Sequence, residues 1–513
     1  MEAAKRVAKN TGILYARMAI TVFISLYSTR LILAALGVAD FGLFNVVGGV
    51  ISMLGFLNSS MAAATQRFMS FAQGAGDLEK VKRIFNMSSL LHWGIAVLVL
   101  LLLEGAGYFF FHGILNIAPD RLEVAKLIYQ FMVISTLFTV ISVPYEAVIT
   151  SHENMLVYAV MGVIEAVLKL GIAFYITYTG LDHLVMYGIL MAALSILLLI
   201  IKRIYCHRIY EECHLQVKHY YDKPLLKEIG GFAGWSLLGS SSSMFATYGQ
   251  GIVLNMFFGT LVNAAQGISN QVSGQLGVFA GTMQKALNPM IDKSEGSGNR
   301  KLMLKASMLG SKISFFLLMI TFIPVLIEMP FVFKFWLKNI PDNSILFCRL
   351  LLVKNLVEQS YSTLSSSIGA VGNIKNFQLI TTVSNFLPLF LSYFFFSKGL
   401  PAYYLYVVFL IYSLVQSVLV IYCAKIYCGL PLYIYFKEVV FRCWFIFFIV
   451  ISVSFIPIYF IETSFTRLII VFIESILVSV FLTVFLGFTK EEKLKFTNVI
   501  KSVKYNLKVK YAI

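Results

Sequence analysis

Charge is scarce in this chain of 513 residues: 13% are Asp, Glu, Lys or Arg, and 59% are apolar. Mean hydropathy is +0.82. A soluble domain carries about 25% charged and 45–50% apolar residues, so a water-soluble globule is excluded. Cysteine is also sparse. Cys206, Cys213, Cys348, Cys423, Cys428 and Cys443 are scattered in or near apolar stretches and imply no disulfide framework. The signatures of nucleotide and hydrolase chemistry are missing: no Walker A lysine loop, no HExxH, no G-x-S-x-G and no paired acidic cluster in a loop. Drive by ATP through the chain's own machinery is thereby excluded. Long loops are missing as well. The largest, from Lys202 to Lys227, has 26 residues, too few for an appended catalytic domain, so the chain is not expected to be an enzyme. Cys206-His207 and Cys213-His214, with His219 nearby, are the one grouping of metal-ligand types. Their spacing fits no standard zinc pattern, and neither a metal nor another cofactor is expected.

What fills the chain instead is apolar segments long enough to cross a bilayer, which takes about 20 residues each. Fourteen can be drawn, at 11–36, 41–63, 88–111, 124–149, 155–178, 184–201, 232–258, 262–287, 306–328, 345–368, 377–397, 403–424, 440–461 and 468–487, called spans 1 to 14 below. The basic opening MEAAKRVAKN resembles the start of a signal peptide, but the apolar run from Thr11 to Leu36 is too long for one and reads as a retained first span.

Forty-one Lys and Arg against 25 Asp and Glu give a net charge of +16. With the N-terminus in the cytoplasm, 27 Lys/Arg fall in cytoplasmic segments and 5 in external ones. The positive charge is therefore topological, no nucleic-acid partner is expected, and both termini are placed in the cytoplasm.

Sliding the first six spans against the next six aligns Asn45, Gly49, Gln66 and Arg67 with Asn263, Gly267, Gln284 and Lys285 at an offset of 218, and Lys126, Ala147 and Val148 with Arg349, Ala370 and Val371 at 223. Parallel repeats of this kind are a common way to build transporters. The expected architecture is an all-α polytopic membrane protein of about 14 transmembrane helices, with two six-helix lobes (1–203 and 232–425) around a central cavity. A cytoplasmic linker (204–231), two additional spans (426–489) and a basic cytoplasmic tail (490–513) complete it.

Ionisable residues inside spans are costly, so each is a functional candidate. Arg17 and Arg30 lie on span 1, about 220° apart around the helix, and cannot share one narrow face. Arginine's planar fork suits phosphate, which makes both anion-binding candidates. Glu165 with Lys169, and Lys354 with Glu358, are i,i+4 pairs near mid-membrane, either self-neutralised or forming a polar cavity wall. Glu165, Glu358 and Glu146, which follows Pro144, are the ion-coupling candidates.

Span 8 sets Asn263, Gln266, Asn270, Gly274, Gly277, Gly281, Lys285 and Asn288 on one face, and span 2 has a weaker version through Asn45, Gly48, Ser52, Gly55 and Ser59. Such a face serves either close helix packing or hydrogen bonding to a sugar. Ser240 to Ser243, Thr247, Tyr248 and Gln250 make span 7 polar too. Arg67 and Lys285, at the cytoplasmic ends of spans 2 and 8, either obey the positive-inside rule or capture a lipid phosphate.

The N-terminal 85 residues carry a recognisable pattern: Asn10-Thr11 before Tyr15 and Arg17, Thr29-Arg30, Leu36-Gly37-Val38-Ala39-Asp40-Phe41-Gly42, Asn45-Val46-Val47-Gly48-Gly49 and Ala64-Thr65-Gln66-Arg67-Phe68. Together they resemble the polysaccharide-transporter branch of the multidrug/oligosaccharidyl-lipid/polysaccharide exporter superfamily, the Wzx-type flippases of O-antigen and capsule pathways. The resemblance implies two six-helix bundles that open alternately to either face of the bacterial inner membrane. The implied partners are a polyprenyl-pyrophosphate-linked oligosaccharide, membrane lipids and other polysaccharide-assembly proteins. The implied transport is driven by an ion gradient or membrane potential. It further implies that cavity cations hold the pyrophosphate, with Arg30 and Arg17 at the matching positions. Span 7 departs from the pattern in lacking a charged residue, which leaves Lys354 or Arg349 of span 10 to supply a second cation. A multidrug or lipid exporter of the same superfamily, and an integral-membrane glycan enzyme, are the alternatives.

Overall fold

The computed structural model describes residues 2–53, 55–111, 121–337 and 340–494, so the basic tail lies outside the described residues from 495 onward. Among them every regular element is helical. The helices are α1 (Glu2–Met53), α2 (Gly55–Gly74), α3 (Leu78–Phe109), α4 (Leu122–Ser151), α5 (Met155–Tyr178), α6 (His183–Ile209), α7 (Lys223–Gly296), α8 (Arg300–Trp336), α9 (Ser344–Gln359), α10 (Ser362–Val371), α11 (Lys375–Ser397) and α12 (Tyr404–Cys428). Two more follow, each containing a π-helical turn: α13 (Leu432–Phe460) and α14 (Phe465–Gly487).

Among the described residues, ten helical segments are long and apolar enough to cross a membrane. The four expected spans that do not meet that test are 2, 7, 8 and 10, and for the last three the reason is physical. Span 10 breaks at Ser360 and Tyr361 into α9 and α10, and the buried Tyr435 hydroxyl donates to the Ser360 carbonyl that the break frees. Spans 7 and 8 are two limbs of the 74-residue α7, diluted by serines, amides and glycines. Span 2 crosses residue 54, which lies outside the described residues, as do the surroundings of Asn45, Gly48, Ser52, Gly55 and Ser59.

Both long helices bend at a glycine. Gly37 sits at φ 74°, ψ 170° and Gly259 at φ 74°, ψ −170°, a region open essentially to glycine alone. These two positions are 222 residues apart. Gly76 and Gly298, both at φ 74°, share that separation. So do the N-caps that follow them: Asp77 accepts from the Lys80 amide at 2.9 Å, and Asn299 from the Leu302 amide at 3.1 Å. The backbone thus repeats its bends, turns and caps at one spacing.

Because a Cβ at Gly37 or Gly259 would meet no atom within 4 Å, alanine there is opposed only by backbone strain. Gly37→Ala and Gly259→Ala are each expected to lower stability by about 1–3 kcal/mol. Gly94→Ala, in a helical and equally open position, is expected to be neutral or slightly stabilising. Thermal unfolding of the three purified variants in detergent checks this.

The chain divides into two compact units. Asn10–Ser240 with Gly296–Gly298 forms the first; Ser241–Glu295 with Asn299 and all that follows forms the second, together with the residues up to Lys9. In the first unit, Ile32 and Leu36 of α1 pack with Val99, Ile128, Ala173 and Leu184, and a second cluster gathers Phe68, Phe85, Tyr145 and Val148. In the second unit the core is built on Phe315, Phe322, Phe333, Leu352, Leu364 and Tyr435. Small hydroxyl side chains let α8 and α10 approach closely: Ser311 meets Thr363 at 2.5 Å, and Ser307 bonds Ser367. Three ion pairs link the C-terminal segment to α8, one of them the exposed Lys305–Glu491 pair at 3.2 Å. Arg467 of α14 grips Glu328 through Nε at 2.8 Å and Nη2 at 3.0 Å, and Lys312 meets Glu492 at 2.6 Å.

Candidate functional site

The first unit builds a cationic site on α1. Asn10, nearly buried, donates from Nδ2 to the Glu153 carbonyl at 3.1 Å and so ties the start of α1 to the α4–α5 turn. Asn154 in that turn caps α5 and donates to the hydroxyls of Tyr205 and Tyr210 at 3.1 and 3.2 Å. Two turns beyond Asn10, Arg17 therefore lies against α5. Its guanidinium carbon stands 4.4 Å from the centre of the Tyr158 ring, and its Nε, Cζ and Nη2 occupy the space where a Cβ on Gly162 would project. Tyr158 and Gly162 are four residues apart and share that face. Arg17 is half-buried and has no carboxylate within ion-pair distance among the described residues. A partly desolvated guanidinium without an ion pair has hydrogen-bond donors that can hold an anion. Arg30 lies 13 residues further on, exposed and likewise without an ion pair among the described residues.

At the other end of this limb, the Gly37 bend is secured from outside. His183 places Nδ1 2.7 Å from the Ala35 carbonyl and Nε2 3.2 Å from the Thr179 carbonyl. Arg121 donates to Asp40 from Nε at 3.0 Å and to Asp182 from Nη1 at 2.6 Å. Burial alone would raise the Asp182 carboxyl, but the Val185 amide and the Arg121 guanidinium outweigh it and hold it below its ordinary range.

The second unit presents a polar face rich in amides and glycines, with Lys285 at its end. On the second limb of α7, Gly267, Asn270, Gln271, Gly274, Gln275, Gly281 and Lys285 are exposed. A Cβ at Gly267, Gly274, Gly277 or Gly281 would meet nothing within 4 Å. These glycines therefore border open space. Asn263 is half-buried with an unpartnered Oδ1. Gln266 is nearly buried, with Oε1 directed at the backbone of Gly251. Beyond them runs a network of amides and hydroxyls. Asn385 donates to Ser242 and Ser243 at 2.9 and 3.1 Å and accepts from the Tyr412 hydroxyl at 2.7 Å, while Ser384 donates to Gln416 at 3.2 Å.

The remaining candidates are otherwise engaged. Lys354 is held by Glu358 at 2.6 Å, and Asn355 beside it donates to Ser273 at 2.6 Å. Glu165 is paired with Lys169 at 2.7 Å and Glu146 with Lys202 at 3.1 Å. Arg349 donates to the Leu326 carbonyl at 3.0 Å. Arg67 is buried against the rings of Phe68, Phe71 and Phe232, at 4.6 to 5.2 Å, whereas Lys285 is exposed. No group of three or more His, Cys, Asp and Glu side chains able to hold a metal ion occurs among the described residues. Sequence reasoning missed Tyr158, Gly162 and the Asn385 network, whose members carry no charge. It also missed Glu474, half-buried on α14 with no ion pair among the described residues, although a lone acid in an apolar span is a visible signal.

No protein-family model and no curated protein matches the sequence. Solved structures do match in fold. A multidrug resistance MATE family transporter of the MOP superfamily in an outward-facing conformation superposes with a TM-score of 0.73 at 14% identity, covering 83% of this chain and 96% of that one. The fold is that of a MATE transporter. A MOP superfamily transporter from Pyrococcus furiosus, described as having a binding pocket of reversed polarity, gives a TM-score of 0.72 with the same identity and coverage. A MATE transporter in the bent conformation gives 0.69 at 14% identity, covering 83% of this chain and 97% of that one. The MATE fold is a two-lobe, polytopic, all-helical membrane architecture, as expected for this chain.

Proposed function

We propose that this chain is a flippase that moves a polyprenyl-pyrophosphate-linked oligosaccharide from the cytoplasmic to the external leaflet by alternating access. The observation that carries the reading is Arg17, a guanidinium inside the first span, set on Tyr158 and Gly162 and compensated by no carboxylate among the described residues. A pyrophosphate entering hydrocarbon loses its hydration, and fixed cations must replace it. The amide-rich face of α7 and the Asn385 network would supply the hydrogen-bonding groups a hydrated glycan needs. The three glutamates expected to couple ions are each paired with a lysine, which disfavours a site for cationic drugs. The Lys/Arg distribution places both termini and the 202–227 loop in the cytoplasm. Drive by an ion gradient or membrane potential belongs to the same proposal.

The test is genetic. The gene is deleted, the polyprenyl-linked saccharide is radiolabelled, and its leaflet is determined with wild type, Arg30→Ala and Arg30→Lys as complements. Accumulation on the cytoplasmic leaflet, relieved by wild type and not by Arg30→Ala, supports the reading. Normal surface glycan in the deletion strain, with no second flippase present, removes it and puts drug or lipid export first.

A further inference from the structure

The first unit contains a cavity of about 300 Å³ that the proposed transport does not use. It lies among α3, α4 and α6. Trp93, Phe138, Ile196 and Leu199 line its apolar body, and Tyr145 and Arg203 stand at its other end. From Phe138 to Tyr145 on α4, and from Ile196 to Arg203 on α6, it runs seven residues, or about 10 Å along the helix axes.

The end bearing Arg203 is the end at which α6 enters the basic 202–227 loop. Its charge is uncompensated. Of the two neighbouring cations on α6, Lys202 is taken by Glu146 at 3.1 Å, whereas Arg203 is exposed and has no ion pair among the described residues. The nearby acid Glu212 is committed to His152 at 2.5 Å. Beside the mouth, the His207 ring stands 5.9 Å from Tyr145 and 5.8 Å from His214, and its Nε2 is buried without a hydrogen-bond partner. The Ser89 hydroxyl on the cavity wall is also buried and unpartnered. An apolar slot with an unpaired guanidinium at one end, and no carboxylate among its lining residues, matches one chemistry: a hydrocarbon chain ending in an anion.

We infer that this slot binds an anionic phospholipid of the leaflet on the basic side, with the phosphate on Arg203 and one acyl chain along Trp93, Phe138 and Leu199. A free phosphate would use the same rim but gain nothing from the slot, and a zwitterionic lipid would lose the charge complementarity. A cation near an anionic lipid surface contributes about 1 kcal/mol, equivalent to roughly fivefold in affinity.

The test uses the full purified chain in detergent, titrated with phosphatidylglycerol, with phosphatidylcholine of the same acyl chains, and with inorganic phosphate, reading thermal unfolding and lipid retained in native mass spectra. Phosphatidylglycerol is expected to be retained and stabilising, about fivefold more weakly with Arg203→Ala and near wild type with Arg203→Lys. Leu199→Trp, which fills the slot, is expected to abolish retention. If Leu199→Trp does not fold, the Arg203 pair still decides. Equal retention of the two lipids, or unchanged phosphatidylglycerol binding by Arg203→Ala, overturns the inference. Stabilisation by inorganic phosphate equal to that by the lipid overturns it too, leaving a soluble-anion site.

Discussion

Gly162→Ala is expected to inactivate the protein although it alters no charged residue and no residue named by the sequence pattern. The added Cβ would fall on the Arg17 guanidinium, which must then leave the Tyr158 ring. Misplacing a binding group by about 1 Å is worth up to about a hundredfold in rate, so transport of the labelled saccharide should fall at least tenfold. Arg17→Ala removes the charge and should fall further. Truncating one partner of a desolvated charge pair costs about 2–5 kcal/mol, or thirtyfold and more. Tyr158→Phe keeps the ring and should stay near wild type, whereas Tyr158→Leu loses a contact worth about 0.5–2 kcal/mol. Gly171→Ala, on the same helix with nothing within 4 Å of the new methyl, is the control. Full activity of Gly162→Ala with wild-type expression would remove Arg17 from the transport path.

The largest expected loss of stability comes from Glu328→Gln. Glu328 is 1% exposed and holds both Nε and Nη2 of Arg467, itself 11% exposed. The glutamine leaves a buried guanidinium uncompensated, at about 3–5 kcal/mol. At about 2–4 °C per kcal/mol, the unfolding midpoint should drop by roughly 10 °C. Removing both charges with Glu328→Leu and Arg467→Leu should recover most of that loss, because breaking a buried pair is worse than replacing it. The comparison is Glu491→Gln, whose partner Lys305 is 61% exposed, and which should change stability by less than about 1 kcal/mol. An equal loss in the two single variants would mean that Glu328 is not buried as described.

Much of the site was visible in the chain because its signals are local. Arg17 announces itself as a charge in an apolar run, and the polar stripe of span 8 follows from helical periodicity. The i,i+4 partners of Glu165 and Glu358 could also be read directly, since four residues bring side chains to one face of a helix. What stayed hidden depended on contacts between elements. Nothing in the sequence tells that Lys202, 56 residues away, neutralises Glu146, or that Phe232 covers Arg67. Span 10 looked continuous because the partner of its break, Tyr435, lies 75 residues downstream.

The sequence by itself determined the solvent and the helical class. Burying apolar runs and satisfying every backbone group inside a bilayer leave helices as the only economical answer for such a composition. Only the tertiary structure decided which charges are available. Availability depends on whether a carboxylate from another helix comes within about 4 Å, and that distance is set by packing. By that criterion Lys354, Lys169 and Lys202 are neutralised, whereas Arg17, Arg30 and Arg203 have no ion pair among the described residues.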